Sequence, residues 1–545
     1  MAIAGALMTR RNEWLGLAAI VALGAGLRYA YFGLLEFQGD EAYAAQLALQ
    51  FVKTGKLPLA GLMSSVGVTN PPLFIYLLIP MFALNASPVF VSGCIALLGL
   101  AAVVLTWHIG RKYYGPVAGL VAGLFFAVSP WAVIYSRKIW AQDFVPVFAT
   151  ATMWAVHTLV LDKKPKAIFW CVLLPLCVVQ IHFSGLALTA AVLVMIAWLR
   201  PKIDWRFAAA GLVAAGVTMA PYLYLQQKTN WGDFRQALNT VGGGQHWEKL
   251  NGVTTHPVSG YRLPSKQNVS YALAIMNGGR IEDVLGIAAD AEFDRAQIWS
   301  RKASYFTRMT TLGDWPLLLQ RLAFVVALGW LVVIAARGVR AGKVTDDPVR
   351  TAWILVLWVV VPVAVFTVAG LWTYLTYFAI LFPVHFLACG AAAQRLKPVV
   401  TWSLAGLLAA GNVVFMLDYY RFVEGNGGAQ GSAGTALGSK LAAARFLAEQ
   451  GGARLQTECE SQLAQLPAPQ PLLVEFNHDG KPELPQLEWP LLIAQQPTGA
   501  GRWPTNLTVF MVDGNREAFP PQLWQQLGQL PGTNFGPIKL YFVKR

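Results

Sequence analysis

The chain has 545 residues, 56% of them hydrophobic and only 13% charged, with 20 Trp, 29 Phe and 17 Tyr. Ordinary soluble proteins are about 25% charged, so this composition excludes a soluble single-domain enzyme and suits a bilayer with aromatic belts. The net charge of +14 does not mark a nucleic-acid partner: beyond Leu417 there are 10 Lys and Arg against 11 Asp and Glu, so the excess lies on the apolar part and reports topology.

Apolar runs near the length of about 20 residues needed to cross a hydrocarbon core recur along the chain. They place about 11 spans at roughly 14 to 34, 89 to 110, 116 to 135, 144 to 161, 167 to 181, 184 to 199, 207 to 226, 316 to 336, 351 to 370, 375 to 394 and 399 to 417. The first run passes 20 residues with no small-residue cleavage site after it, so it is expected to stay as the first membrane helix and not to be removed as a signal. With Arg10 and Arg11 inside, the inner connections hold Arg111 and Lys112; Lys163, Lys164 and Lys166; Arg200, Lys202 and Arg206; Arg337, Arg340, Lys343 and Arg350; and Arg395 and Lys397. Every inner connection is then basic, which sets the orientation. Only the outer turn with Arg137 and Lys138 breaks the rule.

Three long segments fall outside: 36–88, 227–315 and the tail 418–545. In the first, Leu73 to Leu84 reads as a helix lying at the interface, opened by Pro71 and Pro72. In the second, a turn at Gly242 to Gly244 and helical stretches near Ile281 to Ile298 suit a lid. The tail opens with the Gly-rich run 425–434 and an amphipathic stretch from Leu437 to Glu449. It continues with short apolar runs at Leu472 to Phe476, Leu491 to Gln495, Asn506 to Val512 and Ile538 to Val543, separated by Pro-rich turns, and a helical Gln522 to Leu530. That is the pattern of a small α/β domain outside the membrane. Four of the five cysteines, Cys94, Cys171, Cys177 and Cys389, lie in apolar runs, and Cys459 is alone in the tail, so no disulfide framework is expected.

Two constellations carry charge at one membrane face. The first is FQGDEAYAAQLA, where Asp40 and Glu41 follow the first span. A carboxylate at the edge of an apolar wall is poorly solvated and becomes a usable base for a hydroxyl. The plainer reading is a helix start, with Asp capping and Glu at the positive dipole end. The second is SPWAVIYSRKIWAQDF from Ser129 to Phe144, which puts Arg137, Lys138 and Asp143 in the turn before the fourth span. A phosphate at the lipid surface accounts for such cations; snorkelling to lipid headgroups, with Asp143 as a cap, is the plainer account. Arg28, late in the first run, is either a functional group or a side chain reaching outward. His182 and His385 read as satisfied core groups, since neither has an evident metal partner.

The Asp-Glu pair after the first span, the later PPLFIYLL run and the SRK turn with its acidic residue opening the fourth span resemble the GT-C glycosyltransferases of the protein mannosyltransferase and aminoarabinose transferase superfamily. The resemblance covers roughly the first 420 residues and is strongest over Arg28 to Phe148. It implies a transmembrane catalytic module over 1–417, with about 11 membrane helices; the tail's own pattern of runs and turns adds an extracytoplasmic α/β domain over 418–545. The resemblance also implies inverting transfer of a sugar from a polyprenyl-phosphate donor to a lipid, glycan or protein acceptor at the outer face of a bacterial inner membrane. Asp40 is then the leading candidate for the base, with Glu41 beside it and Asp143 as the second acid at the cavity. Arg28, Arg137 and Lys138 are candidates for the donor phosphate, and Tyr43, Asn70 and Tyr377 for the acceptor and lipid pocket. Two departures remove phosphate ligands that relatives have. Asn70 stands where lipid A-modifying relatives commonly have Lys before the Pro pair, and Thr376 precedes Tyr377 where many have Arg.

A lipid-phosphate sugar carries its own leaving group, which fits a chain with no P-loop, Rossmann fingerprint or zinc motif. No cofactor is evident, and a divalent metal stays open. The competing reading is a secondary transporter or flippase of a lipid-linked sugar. That reading calls for repeated halves and ionisable groups near the midplane, whereas here the ionisable groups gather at one edge. A non-enzymatic anchor for the tail needs one span, not about 11.

Overall fold

The computed structural model describes residues 9–64, 67–240, 264–276, 295–369, 373–428, 434–449, 472–476, 482–483, 488–497, 507–513, 525 and 529–544. The expected turn at Gly242 to Gly244, residues 281–294 of the expected helical stretch, and Cys459 lie outside these.

The first ten helices follow the apolar runs in order: α1 (Arg10–Tyr29), α2 (Gly39–Thr54), α3 (Leu73–Leu84), α4 (Pro88–Tyr113), α5 (Pro116–Val128), α6 (Pro130–Ile134), α7 (Ala141–Val160), α8 (Ile168–Ile181), α9 (Gly185–Leu199) and α10 (Trp205–Lys228). Later helices include Arg295–Arg340, Asp347–Val368, Val384–Ala393 and Pro398–Asn426. Proline opens α4, α5 and α6 at the first helical position, where its missing N–H costs nothing. The chain is a multi-pass membrane protein, for which the sequence predicts about 11 spans. Among the described residues, six helices are long and apolar enough to cross a bilayer, or seven if the pair Leu375–Leu381 and Val384–Ala393, bent by 50°, is one span. Three expected spans are only short apolar helices, Pro116–Val128, Pro165–Ile181 and Gly185–Leu199, and α1 carries Arg10, Arg11, Glu13 and Arg28. The run expected over 116 to 135 breaks at Ser129, because Pro130 cannot donate to the preceding turn and restarts the chain as α6. The last helix passes 417 and ends at Asn426, where Gly427 takes a positive φ of 66°.

α5 is buried along its length, between α4, α1 and Val384–Ala393. Glycines permit this approach: a Cβ on Gly119 would lie 2.7 Å from the Trp107 carbonyl oxygen, and one on Gly390 would lie 2.4 Å from that of Ala118. The helix α3 has the expected bounds, with Leu73, Phe74, Ile75, Leu78 and Phe82 buried.

In the tail, helix Leu437–Glu449 is as expected, and five strands form one sheet: β1 (Leu472–Phe476), β2 (Pro482–Glu483), β3 (Leu507–Asp513), β4 (Gly532–Phe535) and β5 (Ile538–Lys544). Their order is β2-β1-β3-β5-β4, with β1 and β3 parallel and the other pairs antiparallel. The apolar run from Leu491 lies in a helix, Glu488–Ala494; a short apolar run has no period that separates strand from helix.

Candidate active site

A cavity of about 440 Å³ opens at the end of the bundle where α1, α6 and α7 meet the segment leading into α2. Its polar wall includes Glu36, Asp40, Asn70, Arg137, Lys138 and His182; its aromatic wall includes Tyr135, Trp140, Tyr377, Tyr419 and Tyr420. Five sequence candidates therefore come together there: Asp40, Asn70, Arg137, Lys138 and Tyr377.

Asp40 lies in the first turn of α2. The helix starts here because Glu41 closes a capping box, its Oε2 accepting from the Gln38 N–H at 3.0 Å. Glu41 is thereby buried behind the helix start, with the Lys138 ammonium 3.5 Å from its Oε1. Asp40 stays exposed and faces the cavity. Burial within the surrounding protein pushes its carboxyl up from the ordinary aspartate range, Glu41 adds to the rise, and Lys138 opposes it. So the plainer reading and the functional one divide between neighbours: Glu41 caps the helix and Asp40 remains available.

Lys138 donates to Glu36 Oε2 at 2.7 Å and lies 3.9 Å over the Trp140 ring. Burial alone would lower its pKa, but Glu36, Glu41 and Asp143 outweigh that and raise it, so the ammonium stays charged. Burial pushes the Glu36 carboxyl up, with Lys138 partly offsetting it. Glu36 was not among the sequence candidates, although it stands four residues before Asp40 in EFQGDE.

The turn from 135 to 140 is held from below by Asp143, whose Oδ2 accepts the N–H groups of Arg137 at 3.2 Å and Lys138 at 3.0 Å. Asp143 is buried and does not wall the cavity, so its geometry is that of a brace and not of the second acid at the cavity. Arg137 gives its guanidinium to the end of α1, donating to the carbonyls of Leu27 at 3.4 Å, Ala30 at 2.7 Å and Tyr31 at 3.0 Å, and it lies 4.5 Å from the Tyr420 ring centre. Arg28, the third donor-phosphate candidate, does not wall the cavity. It is fully buried and donates to the carbonyls of Gly24, Ala127 and Ala132, the last two flanking the break between α5 and α6. A membrane arginine reaches the nearest free carbonyls, and a broken helix supplies them. Tyr43 is exposed on α2 and is likewise absent from the cavity wall.

Asn70 is nine-tenths buried, donates to the Leu62 carbonyl at 3.1 Å and leaves its Oδ1 without a protein partner. The adjacent Thr69 carbonyl accepts from Tyr222 at 2.8 Å, and Tyr222 also bonds Asp233. His182 was read as a core group, yet it walls the cavity, edge-on to Tyr377 at 4.7 Å. Its Nδ1 accepts the Ser184 N–H at 3.2 Å, which puts the proton on Nε2, and burial pushes its pKa down to about 4. It is a neutral donor. His385 is a core group, as expected, bonded to the Ala272 carbonyl. Tyr419 and Tyr420 come from nearly 300 residues beyond Arg137, and no local spacing signals that approach.

A bundle of broken and short apolar helices, with a cavity at one end behind an acidic segment following α1, is a fold that solved structures share. Among solved structures, the chain is similar to ArnT from Cupriavidus metallidurans in the apo state, with a TM-score of 0.52 and 12% identity over 98% of this chain and 98% of that one. It is similar also to ArnT from the same organism bound to undecaprenyl phosphate, with a TM-score of 0.50 and 13% identity over 97% and 98%. No protein-family model matches the sequence, and no curated protein matches it.

Proposed function

We propose that the chain is an inverting glycosyltransferase that moves a sugar from a polyprenyl-phosphate donor to a hydroxyl of a lipid, glycan or protein. The observation that carries this reading is a cavity in which Asp40 faces Lys138 and an aromatic wall. The ArnT structure with undecaprenyl phosphate supplies the donor class by analogy of fold. Asp40 takes the acceptor proton as the hydroxyl oxygen attacks the anomeric carbon. The bond from that carbon to the phosphate oxygen breaks, and polyprenyl phosphate leaves with the electron pair. Lys138, held beside the cavity by Glu36, stabilises the leaving phosphate. Arg137 is already engaged by three carbonyls, so its part is to hold the turn. His182 Nε2–H and the ring of Tyr377 suit a sugar hydroxyl and an apolar sugar face.

On this reading the cavity and the tail 418–545 lie at the outer face of a bacterial cytoplasmic membrane, an orientation that the basic inner connections support. The test is to offer purified protein a panel of polyprenyl-phosphate sugars and follow consumption and release of polyprenyl phosphate by mass spectrometry. Absence of turnover with every donor and acceptor class would refute the reading.

A further inference from the structure

The tail reaches the candidate site from behind. The Leu437 N–H donates to the Leu35 carbonyl at 2.9 Å. One turn on, Lys440 Nζ donates to the Phe37 carbonyl at 2.8 Å and to Glu488 Oε1 at 2.5 Å. Both side chains of this ion pair are 1% exposed. Desolvating two charges costs several kcal/mol each, and well-packed apolar residues often serve stability as well or better. Packing alone therefore does not account for the pair. What it supplies, and apolar residues would not, is a donor fixed on one backbone carbonyl.

That carbonyl is placed for a purpose. Phe37 lies between Glu36, which holds Lys138, and Gln38, the cap residue of α2 that precedes Gly39 and Asp40. Glu36 and Asp40 both wall the cavity, whereas Phe37 is buried with 1% exposure. On the far side, helix Leu437–Glu449 is backed by the β4–β5 hairpin. Gly536 turns there with a φ of 60°, so close that a Cβ would meet Ser439 Oγ at 2.6 Å, and the Phe446 ring lies 5.4 Å from Phe535. A glycine is required at that turn by both its backbone and its neighbour. A continuous path thus runs from sheet to helix to Lys440 to the carbonyl between the two acids.

We propose that Lys440, paired with Glu488, is a positioning residue for the transfer reaction: by fixing the Phe37 carbonyl it sets the placement of Glu36 and Asp40 at the cavity. The tail is on this account part of the catalytic apparatus. The proposal rests on the glycosyltransferase reading for its effect on turnover, but not for the tether itself.

The test uses the full chain in nanodiscs and two variants. Lys440→Met/Glu488→Met replaces the pair by apolar side chains of similar volume. Glu488→Asp keeps a carboxylate beside the Lys440 ammonium and so leaves Lys440 on Phe37. In the double variant, amide hydrogen exchange over residues 36–42 should rise at least about tenfold while β3 and β5 exchange as before. Turnover should fall about 10- to 100-fold with donor KM within about twofold, as expected when reacting groups are displaced by an ångström or less. Glu488→Asp should stay within about threefold of the parent in both measurements. If the apolar pair does not fold, Lys440→Gln/Glu488→Gln, one atom too short to reach Phe37, is judged by the same criteria. Unchanged exchange over 36–42, or faster exchange with unchanged turnover, overturns the proposal. So does a Glu488→Asp variant as damaged as the double one. Should the parent protein transfer no sugar from any donor, the glycosyltransferase reading fails by itself, and the exchange measurement alone decides the tether.

Discussion

Replacing Asp143 separates bracing from chemistry. Its Oδ2 accepts two buried backbone N–H groups, those of Arg137 and Lys138, and these hold the turn that carries Lys138 to the cavity. Asp143→Ala leaves both donors without a partner, and each buried unsatisfied group costs about 1–3 kcal/mol. The low end for two groups is about 2 kcal/mol, or roughly a 30-fold shift toward an open turn. Asp143→Asn keeps a carbonyl oxygen at the same place, able to accept both, so its cost should be below about 1 kcal/mol. Hydrogen exchange of the Arg137 and Lys138 amides measures the opening directly, and turnover with the preferred donor measures its consequence. Asp143→Ala should exchange about 30-fold faster or more and lose most activity, while Asp143→Asn should keep at least about a third of the parent's turnover. A folded Asp143→Asn protein with parent-like exchange and turnover as low as Asp40→Asn would refute the bracing role and return Asp143 to the chemistry.

Asp40→Asn should cut turnover by about 100- to 10,000-fold, the usual cost of a lost general base, with donor binding retained by calorimetry. The acid limb of the pH–rate profile should lie above the ordinary aspartate range, because turnover needs Asp40 ionised and burial raises its carboxyl. Glu41→Gln removes a neighbour that raises it and should move the limb down; Lys138→Met removes a cation that lowers it and should move the limb up, each read from kcat against pH. Arg28→Met strips donors from the Ala127 and Ala132 carbonyls and should lower the thermal midpoint while leaving donor affinity in surviving protein unchanged. A cysteine introduced near Gly428 should react with an impermeant reagent in intact cells, and labelling only in opened membranes would invert the proposed orientation.

The sequence carries the fold class through composition and apolar runs, and it carries Asp40, because a local pair of acids at the end of a membrane helix is visible without tertiary knowledge. It carries α3 and Leu437–Glu449 to the residue, since proline and glycine punctuate both. The division of labour within the site is less legible. Arg28, Arg137 and Lys138 look alike as cations near one membrane face, yet the first two spend their donors on helix-end carbonyls, and only contact geometry separates them. Asp143 likewise follows a turn in sequence exactly as a cavity acid would, and only its two backbone partners show it to be a brace. Tyr419, Tyr420 and Lys440 are invisible to any local pattern, because what makes them matter is a partner hundreds of residues away.

That distance has a consequence in time. Lys440 and the Phe37 carbonyl are 403 residues apart. At a synthesis rate of about 5–20 residues per second, the segment around Asp40 emerges roughly 20–80 seconds before its tether does. Throughout that interval the early helices can insert and pack, while the carboxyl cluster waits without its last constraint. Chains abandoned by the ribosome before residue 440 would thus enter the membrane as unfinished, idle bundles, and the capacity to act would arrive only as synthesis nears its end.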